Sequence, residues 1–230
     1  MTNRLLAAAL AFMAASTSVP VFAQDAAAPA APAPVQAIPL TVNLDQSVDK
    51  ENILYLDLSN NQRVAIRLMP QWAPHHVERI KQLTRQGFYD GIIFHRVIDG
   101  FMAQTGDPTG TGQGGSDLPN LSAEFNRLPH VRGTVSMARA QDKDSANSQF
   151  FIVFYPRFSL DKNYTNFGRV IAGMDAVDAI ERGEPPEHPT YIVQASIAAD
   201  NKPPKYAPAP QVEPLAPDLN QIDLRNPASN

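Results

Sequence analysis

The chain has 230 residues and 43% of them are hydrophobic, enough for one domain with a real core plus tails. Its formal net charge of −4 argues against general nucleic-acid binding, which needs a basic surface. It has no cysteine, which excludes disulfides, thiolate chemistry and cysteine-ligated zinc.

Residues 1–23 read as a secretory signal peptide. Met1 to Arg4 make a short positive start, Leu5 to Ala15 are almost all apolar, and Val21-Phe22-Ala23 ends in a small residue after Pro20. Cleavage is expected after Ala23, with no stable membrane insertion, because the apolar stretch is too short to span a bilayer. No cysteine follows, so a lipid-modified anchor is not available. Losing Arg4 leaves 18 basic against 23 acidic residues, and 18 − 23 = −5. An exported protein without cysteine suits the bacterial periplasm, and that location is the expectation.

Residues 24–50 form an expected linker, rich in alanine and proline up to Pro39. One domain follows over 51–200, with runs of strand character at Ile53–Leu58, Val64–Met69, Ile92–Ile98, Phe101–Gln104, Gly133–Arg139, Gln149–Phe154, Asn166–Val170 and Tyr191–Ala198. Tyr55 to Val64 reads as a hairpin with Asn60-Asn61 at its tip. Val64, Ile66 and Leu68 alternate with Ala65 and Arg67, the period of a half-buried strand. A helix opens at Pro74, with Val77, Ile80 and Leu83 on one face and Gly87 at its end. A second runs from Met174 to about Ile180. Many short strands and two helices predict a mainly β barrel or sandwich. The tail over 201–230 holds Pro203, Pro204, Pro208, Pro210, Pro214, Pro217 and Pro227, too proline-dense for a packed domain. Wrapping the domain surface and remaining mobile are both open to it.

Several familiar chemistries fit poorly. Among His75, His76, His95, His130 and His188, no pair has the i, i+4 spacing of a zinc protease, and the adjacent His75 and His76 should point apart on their helix. Neither a metal nor a cofactor is expected. Gly110-Thr-Gly112-Gln-Gly-Gly115 matches a dinucleotide fingerprint, but Ser116-Asp-Leu-Pro119 does not open a helix behind it, so a flexible surface loop is expected. Ser136 and Ser148 lie in strand-like runs without a nucleophile elbow. Asp142 and Asp144 sit in a polar turn.

What remains is an arginine set. Arg96 lies within an apolar run, followed by Phe101, Met102 and Gln104, with Phe150-Phe151 downstream. An unpaired cation beside apolar side chains is costly. On spacing alone the aromatics are core and Arg96 makes an internal salt bridge.

The blocks Gly87-Phe-Tyr-Asp-Gly91, Phe94-His-Arg96, Gly100-Phe-Met-Ala-Gln104, Gly106-Asp107, Gly133-Thr-Val-Ser-Met-Ala138, Ser148-Gln-Phe-Phe-Ile152 and Phe167-Gly168 change that balance. In order and separation, the stretch from near Ile53 to near Ile197 resembles the cyclophilin-type peptidyl-prolyl isomerases. The resemblance implies a closed eight-stranded antiparallel β-barrel capped by two α-helices. It implies that Arg96 is the catalytic arginine. It further implies that Phe101, Met102, Phe151 and Leu160 form the pocket for the prolyl ring, and that Gln104, Ala138 and Gln149 bind substrate backbone. Arg139 stands where asparagine is frequent in eukaryotic members. Tyr164 stands where many members have histidine, and keeps a ring and a polar tip. Ser159 stands where many have tryptophan, so weak cyclosporin binding is expected.

The function implied is cis–trans isomerisation of X–Pro bonds in exported proteins, assisting their folding, by a monomer whose partners are proline-containing peptides and unfolded exported chains. The alternative is a chaperone or scaffold module that holds proline segments with little turnover.

Overall fold

The structure, a computed structural model, describes residues 39–206. The expected signal peptide, the linker up to residue 38 and the tail beyond residue 206 lie outside them.

Eight strands form one antiparallel sheet. They are β1 (Ile53–Leu58), β2 (Arg63–Leu68), β3 (Arg96–Ile98), β4 (Met102–Thr105), β5 (Thr134–Met137), β6 (Phe150–Val153), β7 (Asn166–Ala172) and β8 (Ile192–Ile197). Their order across the sheet is β3-β4-β6-β5-β7-β2-β1-β8. The expected hairpin is β1–β2, with Asn61 at a left-handed φ of 61° in the turn. Helix α1 (Pro74–Arg85) begins on its proline and sends Val77, Ile80 and Leu83 into the core. Helix α2 (Met174–Asp178) is shorter than expected but buries Val177, and Ile180 just beyond it is buried too.

Period-two alternation sorts the side chains. Leu54, Leu56, Val64, Ile66, Val97, Ala103, Val135 and Ile152 all fall in one continuous core. Each large aliphatic side chain removed from water there stabilises the fold by about 1.5–3 kcal/mol.

The sheet is curled but open, which corrects the closed barrel expected above. The run Ile92–Ile98 yields a strand of only three residues, and no continuous ladder joins β3 to β8. The two edges meet at isolated bridges, Ile93 with Tyr191 and Val97 with Gly183. Between these bridges one chain advances from 93 to 97 and the other from 183 to 191, so the second must loop out. Pro185, Pro186 and Pro189 lie in that loop, and proline has no N–H to donate to a ladder.

The outward face of β2 is not open to water. Arg67 is only 3% exposed. Its guanidinium donates to the carbonyl oxygens of Asn43 (3.1 Å), Asp45 (2.6 Å), Val48 (2.9 Å) and Asp49 (3.0 Å). Trp72 Nε1 donates to the Pro39 carbonyl at 2.9 Å, and Val42 packs against Met69, Trp72 and Leu128. Residues 39–49 therefore lie on the domain as a strap. At the other end, Lys205 N–H donates to Asp57 Oδ2 at 2.8 Å, so the first tail residues lie along the surface.

Candidate active site

The register of three strand pairings builds the site. Arg96 on β3 stands opposite Gln104 on β4, Gln104 opposite Phe151 on β6, and Phe151 opposite Ser136 on β5. One row of side chains therefore crosses the outer face of the sheet. Two residues along, Ile98, Met102 and Val153 form a parallel row. These residues belong to a second apolar cluster, separate from the core, made of Met102, Phe151, Val153 and Leu160 with Ile98, Phe101, Ala138 and Tyr164 around them. Of the pair Phe150-Phe151, alternation sends Phe150 into the core and Phe151 outward.

Above that cluster lies a cavity of about 240 Å³. Met102, Phe151 and Leu160 form its buried floor. Tyr164 packs edge-on to Phe151, with ring centroids 5.7 Å apart. Arg157 stacks on Phe101, its guanidinium 4.8 Å from the ring centroid. Arg96, Gln104, Ala138 and Arg139 complete the wall. A second, polar cavity of about 440 Å³ adjoins it and shares Gln104, Ala138 and Arg139. Gln149 lines only this second cavity. The ten residues singled out in the sequence thus gather at two adjoining cavities, nine around the apolar one and Gln149 next door.

A hydrogen-bonded chain fixes the polar wall. Gln104 Nε2 donates to Gln149 Oε1 at 2.8 Å, and Gln149 Nε2 donates to the carbonyls of Gly112 and Gly114. Those glycines belong to the loop expected to be flexible. Its backbone is instead gathered by Asp107, whose carboxylate accepts from the N–H groups of Thr109, Gly112 and Gly114. Burial alone would raise the Asp107 pKa, but these donors outweigh it and hold the carboxyl below its ordinary value. A Cβ on Gly114 would lie 2.1 Å from Asp107 Oδ1, so this position needs glycine.

Behind Phe151 lies a feature that sequence reasoning missed. The His130 ring stacks on Phe151 at 6.5 Å, with Nδ1 2.8 Å from Asp161 Oδ1 and Nε2 2.8 Å from Ser136 Oγ. The order Ser–His–Asp suggests a nucleophile, but Ser136 is fully buried. The group instead ties the Leu160-bearing turn to β5. Burial depresses the His130 pKa more than Asp161 raises it.

His75 and His76 do point apart, the first 80% exposed and the second buried, yet their Nδ1 atoms meet the two oxygens of Glu124 at 2.7 and 2.6 Å. Glu124 also accepts both backbone N–H groups at the start of α1, so it caps the helix. Arg96 makes a salt bridge, as spacing alone suggested, but at the exposed rim and not inside the core. Its side chain is 41% exposed and its Nε donates to Glu184 Oε2 at 2.7 Å. Nothing in the sequence marked Glu184.

A protein-family model for cyclophilin-type peptidyl-prolyl cis-trans isomerases matches residues 54–197. The chain belongs to that family. A Brucella suis protein named "Probable peptidyl-prolyl cis-trans isomerase" is 47% identical over 177 residues, covering 70% of this chain and 90% of its own. Peptidyl-prolyl cis-trans isomerase B of Bacillus subtilis is 40% identical over 131 residues, covering 56% and 91%. Among solved structures, a cyclophilin from Hirschia baltica superposes with a TM-score of 0.63 at 31% identity, covering 68% of this chain and 77% of that one. A Cryptosporidium parvum cyclophilin-type isomerase, crystallised in the presence of the dipeptide Ala-Pro, gives 0.59 at 28% identity, covering 63% and 98%. This cyclophilin is accordingly an isomerase, and the fold of its described residues is that of the family.

Proposed function

We propose that this cyclophilin accelerates rotation about X–Pro bonds in exported proteins and assists their folding in the periplasm. The observation that carries the catalytic part is the row Arg96–Gln104–Phe151. It sets a permanent cation at the rim of a cavity of about 240 Å³ with an apolar floor. The Ala-Pro dipeptide present with the Cryptosporidium relative supports a prolyl ring as the occupant.

The X–Pro bond resists rotation through amide resonance, with a barrier of about 18–20 kcal/mol. Its isomers differ by only about 0.5–1 kcal/mol, so the enzyme need only lower the barrier. On this reading the ring is held against Met102, Phe151 and Leu160, while Gln104 and the groups around Gln149 hold the flanking backbone. As the bond twists, the prolyl nitrogen becomes pyramidal and gains a lone pair. An Nη–H of Arg96 can donate to it and favour the twisted form, and the apolar surroundings strengthen that contact. Each 1.36 kcal/mol removed gives about tenfold in rate. The residues perform no proton transfer, so turnover should vary little across neutral pH.

A protease-coupled proline-peptide assay on the wild type and Arg96→Ala tests this. The variant should lose about 100-fold or more in kcat, the usual cost of removing a transition-state donor. A wild type that binds proline peptides without accelerating them would leave the chaperone reading standing instead. The export half rests on the composition of residues 1–23. Expression of the full chain should yield a periplasmic protein beginning at Gln24, and a cytoplasmic product that keeps Met1 would refute it.

A further inference from the structure

The isolated bridge at Val97 has a consequence for its neighbour. Val97 N–H donates to the Gly183 carbonyl at 2.7 Å, and Gly183 N–H donates back to the Val97 carbonyl at 2.9 Å. In an antiparallel pair the next residues along face each other, so this bridge places Glu184 directly across from Arg96. The row of the active site therefore has one more member, Phe151–Gln104–Arg96–Glu184. Gly183 is required by the turn into the proline loop that follows it. It has φ +148°, and a Cβ there would lie 2.5 Å from Pro186 Cα.

We propose that Glu184 is a positioning residue for Arg96, fixing its guanidinium from the side away from the substrate. The inference rests on the isomerase reading of the groove. A guanidinium has five N–H donors. Glu184 accepts from Nε, and Nη1 and Nη2 have no protein partner among the described residues. The engaged nitrogen anchors the plane and leaves the other pair free, on a residue that lines the cavity. Arginine has many rotamers, and ordering them only in the transition state would slow the reaction. A carboxylate opposite it in the sheet does that ordering beforehand. Both partners are substantially exposed, at 41% and 51%, and such pairs contribute little to stability. The effect should therefore appear in turnover and not in folding.

The experiment uses the mature chain and the variants Glu184→Ala, Glu184→Gln and Glu184→Asp, each also in the Arg96→Ala background. Glu184→Ala should lower kcat about tenfold, with KM nearly unchanged, as a loosely held catalytic group would. Glu184→Gln, which keeps an acceptor, should recover part of the loss. In the Arg96→Ala background, Glu184→Ala should have no further effect, because the residue acts only through the arginine. The Arg96 Nε–H resonance should shift in Glu184→Ala at unchanged melting temperature. Unchanged kcat would overturn the proposal. So would equal losses in both backgrounds, or a rise in kcat, which would make Glu184 a brake. If the wild type itself gave no acceleration, the isomerase reading would fall. The resonance would still decide the pairing, and an Nε–H signal indifferent to Glu184→Ala would overturn it.

Discussion

The guanidinium of Arg139 lies 4.7 Å above the ring of Tyr164. It also donates to the carbonyls of Asn163, Ala140 and Gln141. These partners immobilise the group without neutralising it. Arg96 and Arg139 are the only charged residues lining the two cavities, and no carboxylate lines either. Glu184 pairs with Arg96, so Arg139, with no carboxylate partner among the described residues, gives the groove a positive end on a chain of net charge −4.

Peptides with glutamate within two residues of proline should therefore have lower KM than lysine counterparts. The gap should be about threefold to tenfold at low salt and shrink as ionic strength rises. Arg139→Gln should narrow the ratio toward one. Measuring KM for the peptide pair at two salt concentrations checks this, and a salt-independent ratio would contradict it.

Cyclosporin should inhibit weakly. Ser159 is exposed on the short turn Phe158–Leu160 and offers no indole N–H. The chain's one tryptophan, Trp72, is instead bonded to Pro39 beneath the strap. Nanomolar inhibition of the purified protein would refute this expectation.

Acid should destabilise the fold. Burial is the largest effect on His76, His95 and His130, and each has its pKa lowered. The unfolded chain then takes up protons near the ordinary imidazole value of about 6.5, before the folded chain does. Stability is therefore full above that value and falls as the pH drops through the window beneath it. Urea unfolding at about pH 7.5 and about pH 5.5 should show a lower midpoint in acid. His130→Gln should reduce the drop, because glutamine does not titrate.

Removing the strap's anchor should cost stability. Arg67→Ala would strand the carbonyls that the guanidinium now satisfies, a loss of about 2–4 kcal/mol. Trp72 fluorescence should shift to the red at the same time, because its cover is lifted. An unchanged denaturation midpoint would show that the strap contributes nothing.

Much of this was legible in the sequence because it is local. Arg96, Phe101, Met102 and Gln104 share one hairpin, and period-two alternation puts three of them on one face. The strap was not legible. Arg67 is satisfied by backbone carbonyls, which carry no side-chain signature, and an alanine- and proline-rich approach hides where docking begins. The open seam was hidden for a related reason. Residues 92–98 look like one strand, and only the prolines across the gap, some 90 residues away in the chain, limit the pairing. Glu184 reaches the site through a bridge across the sheet's seam and His130 through side-chain contacts from a loop, neither of which one strand's composition can reveal.

The bridge at Val97 also limits how clients can be bound. Arg96 and Ile98 direct their backbone groups toward β4, and the outward N–H and carbonyl of Val97 are both taken by Gly183. No client can join this edge by adding a strand. Recognition must then fall on the ring of proline, the residue least able to extend a ladder, and on side chains such as Gln104 that reach the flanking backbone. A chaperone that captured clients by their edges would favour β-rich, aggregation-prone segments. This enzyme can visit a loop, a turn or a bare chain alike and leave no strand behind.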